Sequence, residues 1–273
     1  MYDRDLTETS KGALLELCMA LSHYRHEFIL VGGWAPYFLT RQYFDHCGSI
    51  DIDLVLKPSI IPRYQSIKEV IEGLGYTVTR NPFRFSRDLA SLVGSRDFTI
   101  HLDLLTEPEP ALSQEFLVEV QEDLRACLIP GISIVFNHYY KQELEATLPA
   151  GGEAVHDIDV ADIVGTLTTK GNALPRLKDK DSYDIYAVAG HHDGSPVKAA
   201  ERFKTLIRTK DSESDPIILQ ALRNIQNGFS SPNRYGSFSV SRFIGSNGLI
   251  RNDSYQKVRA FLENLRTDSD NEP

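Results

Sequence analysis

The chain has 273 residues, 41% of them hydrophobic and 25% charged, with a formal net charge of −9. That length can bury a substantial core as one large domain or two small ones, and the ordinary composition excludes wholesale disorder and fibrous repeats. The acidic balance argues against binding duplex DNA through the overall field, and no apolar run is long enough for a membrane-spanning helix.

The first residues, MYDRDLTETSKG, are polar and lack the hydrophobic segment of a signal peptide. Cys18, Cys47 and Cys127 are too scattered for a disulfide framework or a C-x-x-C metal clip. Both features point to the cytoplasm and to cysteines that fill the core. The charge is uneven: residues 1–150 hold 13 basic and 21 acidic side chains, and residues 151–273 hold 16 and 17. Any metal site is therefore expected in the first part, while the second can carry a local basic patch.

Leu14, Leu17, Cys18 and Leu21 have helical spacing and predict a helix over 11–24. Phe28–Val31 reads as a buried strand stopped by Gly32-Gly33, and Trp34–Thr40 as a helix starting directly after the glycines. Ile50–Leu56 alternates as a strand. Ile67, Val70, Ile71 and Leu74 mark a helix that starts near Pro62. Tyr76–Thr79 and Phe83–Phe85 suggest a hairpin, and Phe98–Leu105 and Ile132–Phe136 two further strands. Leu148-Pro-Ala-Gly-Gly-Glu153 is the best linker candidate. Beyond it the pattern turns helical. Val160, Ile163, Val164 and Leu167 form one helix face, and Asp181, Asp184, Ile185 and Val188 lie on the next helix. Ser195-Pro196 and Asp215-Pro216 each pair an N-cap with a Pro at the first helical position, and Gly228 stops the second of these helices. Tyr255–Leu265 forms a last amphipathic helix before a polar tail from Thr267. The expected class is α+β: a domain over 1–150, then a helical domain over 151–273.

The chemistry concentrates between Val31 and Leu105. Asp51 and Asp53 alternate by two in a strand and share a face, and Asp103 sits in a later alternating strand. Three carboxylates brought together repel unless cations neutralise them, and hard oxygen ligands of this kind suit Mg²⁺ or Mn²⁺ with substrate phosphates completing the shell. Two such ions can activate an attacking hydroxyl and stabilise a leaving pyrophosphate. The glycines leave room for phosphates at a helix N-terminus.

The order strand, Gly-Gly, helix, Gly48-Ser49, Asp-x-Asp in a strand, later Asp in a strand resembles the DNA polymerase β-like nucleotidyltransferase superfamily over roughly residues 28–105. The resemblance implies a mixed sheet flanked by helices. A second stretch, Lys170-Gly-Asn-Ala-Leu-Pro-Arg176-Leu-Lys178-Asp-Lys180-Asp181-Ser-Tyr-Asp184, resembles the K…R…K-D-x-x-D motif of AbiEii/MenT-type toxins. What that implies is NMP transfer from an NTP such as ATP to an acceptor hydroxyl, with tRNA or another RNA as acceptor and a cognate antitoxin as partner. By resemblance Asp51 and Asp53 hold both metal ions, and Asp103 completes one site and helps deprotonate the acceptor. Gly32, Gly33 and Ser49 line the triphosphate, which leaves open whether Gly32-Gly33 or Gly48-Ser49 lies against it. Lys170 neutralises phosphate charge, Asp181 orients it or the acceptor, and Arg176, Lys180 and Asp184 contact the nucleotide. The helical domain thereby contributes to an active-site cleft. The family pattern has a small hydroxylic residue where this chain has Trp34. Gly-Gly-Trp also resembles nucleotidyltransferases acting on aminoglycosides or lincosamides, which is one alternative. An inert nucleotide- or partner-binding module is another, disfavoured by three intact carboxylates. His101 reads as structural, His191-His192 as C-terminal capping, and Arg202, Lys204, Arg208 and Lys210 as a solvated helix face.

Overall fold

Phe28–Leu30 has no polar face to offer solvent, and it forms an interior strand of a sheet, β1. The computed structural model describes residues 4–57, 66–91, 97–107, 117–121, 124–245 and 248–266. They divide into two units, Tyr2–Ala35 with Cys47–Ala161, and Pro36–His46 with Asp162–Pro273. The expected helix start at Pro62 and the tail from Thr267 lie outside the described residues.

The first unit is a nine-stranded mixed sheet with helices. Helix α1 (Arg4–Ala20) precedes β1 and packs against the far end of the sheet. After β1 the chain enters α2 (Trp34–Thr40), whose residues from Pro36 belong to the second unit, and then come β2 (Ile52–Leu56), α3 (Ile67–Gly73), β3 (Thr77–Val78), β4 (Arg84–Ala90), β5 (Asp97–Thr106), β6 (Leu117–Gln121), β7 (Leu124–Leu128), β8 (Tyr139–Thr147) and β9 (Glu153–Ala161). The spatial order is β3-β4-β5-β2-β1-β9-β8, with β7 beside β5 and β6 beside β7. β2 runs parallel to β5, and β1 antiparallel to β2 and parallel to β9. The parallel pair explains why β2 reads as almost continuously apolar: Ile52, Leu54, Val55 and Leu56 are all fully buried. The mixed sheet with flanking helices and a helical C-terminal part is the class expected from the sequence.

Three local expectations are corrected. Ile132–Phe136 is a 3-10 turn, not a strand, because Gly131 enters it in the left-handed region and the Glu107 carboxylate accepts from the amides of Gly131 and Ser133, at 2.6 and 2.9 Å. Leu148–Glu153 is the turn of the β8–β9 hairpin, with Leu148 N donating to Gly152 O, so it joins two strands of one sheet where a linker was expected. Val160 accordingly lies on β9, and the change of unit falls at Ala161/Asp162.

The second unit is helical. It contains Pro36–His46 and helices α4 (Ile163–Ala173), α5 (Asp179–His191), α6 (Pro196–Thr209), α7 (Pro216–Gly228), α8 (Tyr235–Ile244) and α9 (Gly248–Arg266). The side chains of Asp162, Ser195 and Asp215 cap α4, α6 and α7, and the latter two are followed by Pro as the sequence predicts. α8 was not anticipated. Its serines, three of them fully or nearly fully buried, hide the apolar period. Among the described residues no helix is long and apolar enough to cross a membrane.

Candidate active site

In the first unit the register of three strands decides which side chains meet. Asp53 on β2 lies directly opposite Asp103 on β5, so both carboxylates leave the same face of the sheet. Arg84 on β4 lies opposite Asp103 from the other side. Its Nε donates to Asp103 Oδ1 at 2.6 Å and its Nη2 to Oδ2 at 2.5 Å, a two-pronged charge-assisted pair. That bond raises the Arg84 pKa, partial burial opposes it, and the charges of Asp103, Asp51 and Asp53 all add to the rise. Arg84 thus pairs with Asp103 and feels the charges of Asp51 and Asp53 as well. Asp51, expected on the strand with Asp53, instead precedes β2 in a bend, where its Oδ1 lies 3.3 Å from His101 Nδ1.

The Gly32 turn is built around Asp53. Gly32 has φ +67°, a region glycine enters without steric cost, and a Cβ there would sit 1.8 Å from Asp53 Oδ2. Asp53 O accepts from Val31 N at 3.0 Å, which holds the turn to β2. Gly33 is buried and leads into α2. Ser49 is buried too, but its hydroxyl donates to the Asp51 carbonyl at 3.0 Å and so shapes the approach to β2. Thr7 and Ser10 of α1 pin the same loop through the carbonyls of Cys47 and Ile50. Among the described residues, no three His, Cys, Asp and Glu side chains form a ready-made metal cluster, and both oxygens of Asp103 are taken by Arg84. Asp51 and Asp53 offer hard oxygen donors of the kind a divalent ion takes.

In the second unit, four of the five motif residues converge. Lys170, in the last turn of α4, places Nζ 2.8 Å from Asp181 Oδ1 and 2.7 Å from Asp184 Oδ2. Lys180 Nζ reaches Asp184 Oδ1 at 2.6 Å. Asp181 and Asp184 share a face of α5, three residues apart. Burial opposes charge on both Lys170 and Asp184, but each is outweighed by its partners. Asp184 and Asp181 hold Lys170 above the usual lysine range, and Lys170 and Lys180 hold Asp184 well below the carboxylate range. Among the described residues, Asp181 Oδ2 is buried with no hydrogen-bond partner. Arg176 is exposed on a 3-10 turn, and no contact among the described residues joins it to this cluster.

Two participants escape the sequence reading. Arg84 stands between Phe83 and Phe85 and looks like the outward residue of an alternating strand, until register sets it against Asp103. His46 lies in a loop without periodicity, yet its Nε2 is 3.1 Å from Asp184 Oδ1 and both side chains are fully buried. Burial first, then the charge of Lys180, lowers the His46 pKa from 6.5 to about 4, against the pull of Asp184. The unfolded chain therefore binds the extra proton at higher pH than the folded one, and stability falls as pH drops from 6.5 towards 4. Between pH 7 and 5, urea unfolding of wild type is expected to lose about 2 kcal/mol more than His46→Gln. Equal losses in the two proteins would contradict the buried neutral imidazole.

A family model described as nucleotidyl transferase AbiEii toxin, Type IV TA system, matches residues 13–264. No curated protein matches the chain. Among solved structures, JHP933 from Helicobacter pylori is similar over 99% of this chain and 97% of that chain, at 12% identity and a TM-score of 0.46.

Proposed function

Because this chain belongs to the AbiEii family of nucleotidyl transferase toxins of type IV toxin–antitoxin systems, we propose that it transfers NMP from an NTP, such as ATP, to a hydroxyl of an RNA acceptor, tRNA above all. The acceptor oxygen forms a bond to the α-phosphorus, and the bond from that phosphorus to the oxygen bridging to the β-phosphate breaks. Pyrophosphate leaves, and the hydroxyl proton passes to a carboxylate. A cognate antitoxin is the matching protein partner, and the cytoplasm the matching compartment.

The observation that supports this best is the register that sets Asp53 beside Asp103, with Asp51 just before the same strand. Asp51 and Asp53 would hold Mg²⁺ or Mn²⁺, which supplies positive charge against the triphosphate when bound. Asp103 serves as ligand or proton acceptor only once Arg84 is drawn off it, and the triphosphate is the anion that competes for the guanidinium. Gly32 makes room for the Asp53 carboxylate, Gly33 would meet the triphosphate ahead of α2, and Ser49 keeps Asp51 in place. Lys170 carries a charge that counters the departing pyrophosphate, with Lys180 and Asp184 fixing it. Asp181 holds the Lys170 ammonium through Oδ1 at 2.8 Å and so orients it. Arg176, exposed, is a further cation for the nucleotide.

The test is to incubate the protein with each α-labelled NTP, Mg²⁺ and either total RNA or an aminoglycoside. Label on RNA is the expected result. Label on the small hydroxylated acceptor alone would replace the acceptor, and label on neither would reject the reading.

A further inference from the structure

Asp184 is held from three directions. Its Oδ1 meets His46 Nε2 at 3.1 Å and Lys180 Nζ at 2.6 Å, and its Oδ2 faces Lys170 Nζ at 2.7 Å. The side chains of His46 and Asp184 are both fully buried. The imidazole is itself wedged among rings, with centroids 4.9 Å from Tyr183, 6.3 Å from Tyr37 and 6.4 Å from Phe44. The carboxylate therefore cannot turn without breaking its contact to a ring that has nowhere to go. Turning would also carry Oδ2 away from Lys170.

We propose that His46 is a positioning residue for nucleotidyl transfer, its neutral imidazole fixing the Asp184 carboxylate so that Asp184 fixes the Lys170 ammonium; this rests on the transfer reading above. The charge count explains why the third partner is a histidine. Lys170 and Lys180 already balance Asp181 and Asp184, so another fixed cation would leave a buried surplus of charge. An uncharged N–H gives direction to Asp184 Oδ1 without adding charge. His46 touches no reacting atom on this account and acts only through Asp184.

Two replacements separate the donor from the bulk. His46→Gln puts an amide nitrogen near the place of Nε2, while His46→Leu fills the space with no donor. kcat, KM for NTP and acylation of Lys170 by an amine-reactive reagent, mapped by peptide mass, are measured on folded protein. His46→Leu is expected to lower kcat about 10- to 100-fold, the range seen when a group that orients a ligating side chain is lost, with KM for NTP nearly unchanged. It should also raise Lys170 acylation, while His46→Gln stays close to wild type in both. Should His46→Leu fail to fold, His46→Asn, which is too short to reach Asp184, gives the same contrast. Equal kcat losses in the Leu and Gln variants, or unchanged Lys170 acylation in His46→Leu, would overturn the proposal. The acylation arm decides the matter even if wild type transfers no nucleotide, an outcome that would count against the transfer reading instead.

Discussion

Asp53→Ala is expected to lower nucleotide transfer by at least about 100- to 1,000-fold, the scale attached to losing one preorganised group that acts on transition-state charge. The position is fixed from two sides. Register sets Asp53 opposite Asp103, and the Gly32 turn passes so close that any Cβ there would overlap the Asp53 carboxylate. The fold should not suffer. Asp53 lies beside Asp103 in register, so removing its carboxylate relieves repulsion in the free protein, and stability is expected to stay within about 1 kcal/mol of wild type. Asp53→Asn keeps the shape and loses the charge, and should be nearly as inactive. Single-turnover transfer alongside urea unfolding checks both halves. Near wild-type transfer by Asp53→Ala would remove the Asp51–Asp53 pair from the reaction.

Lys170→Ala is expected to fail twice over. Its ammonium lies in a buried cluster between Asp181 and Asp184, so deletion leaves a buried carboxylate short of its partner, at about 3–5 kcal/mol of stability. Activity should fall separately. In the proposed transfer the ammonium would counter charge that builds as pyrophosphate leaves, so kcat should drop about 30- to 1,000-fold, or roughly 2–4 kcal/mol, with a much smaller rise in KM for NTP. Kinetics at low temperature, where unfolding data show the variant folded, keep the two losses apart. Lys170→Arg should recover stability better than rate, because a planar fork cannot place a compact charge between the two Asp oxygens. A Lys170→Ala enzyme with normal kcat, or a Lys170→Arg enzyme that matches wild type, would take Lys170 out of the mechanism.

Much of this was legible where side-chain period and chemistry coincide. The apolar runs Phe28–Val31 and Ile52–Leu56, the glycine pair between strand and helix, and the Ser-Pro and Asp-Pro helix starts each carry a local physical cause. Lys170 was readable as an anomaly, a charge at the apolar period of a helix, and the explanation lies eleven and fourteen residues on, at Asp181 and Asp184. What stayed hidden depends on contacts distant in sequence. Arg84 is nineteen residues from Asp103, and His46 is 138 from Asp184, so no window of sequence holds either pair. The β8–β9 hairpin was missed because both strands carry charged residues on their exposed face, and its Gly-Gly turn has the composition of a linker. The Ile132–Phe136 turn was misread because a short apolar run has no period of its own.

NMP transfer requires cleavage of the NTP between its α- and β-phosphates, and one paired experiment reads that bond directly. Wild-type protein is given Mg²⁺, total RNA and the same NTP labelled either at the α- or at the γ-phosphate. The account predicts that α-label appears on RNA and γ-label only in released pyrophosphate, with both signals absent in Asp53→Ala. Transfer of γ-label to the acceptor, or release of label as inorganic phosphate with none on RNA, would contradict it.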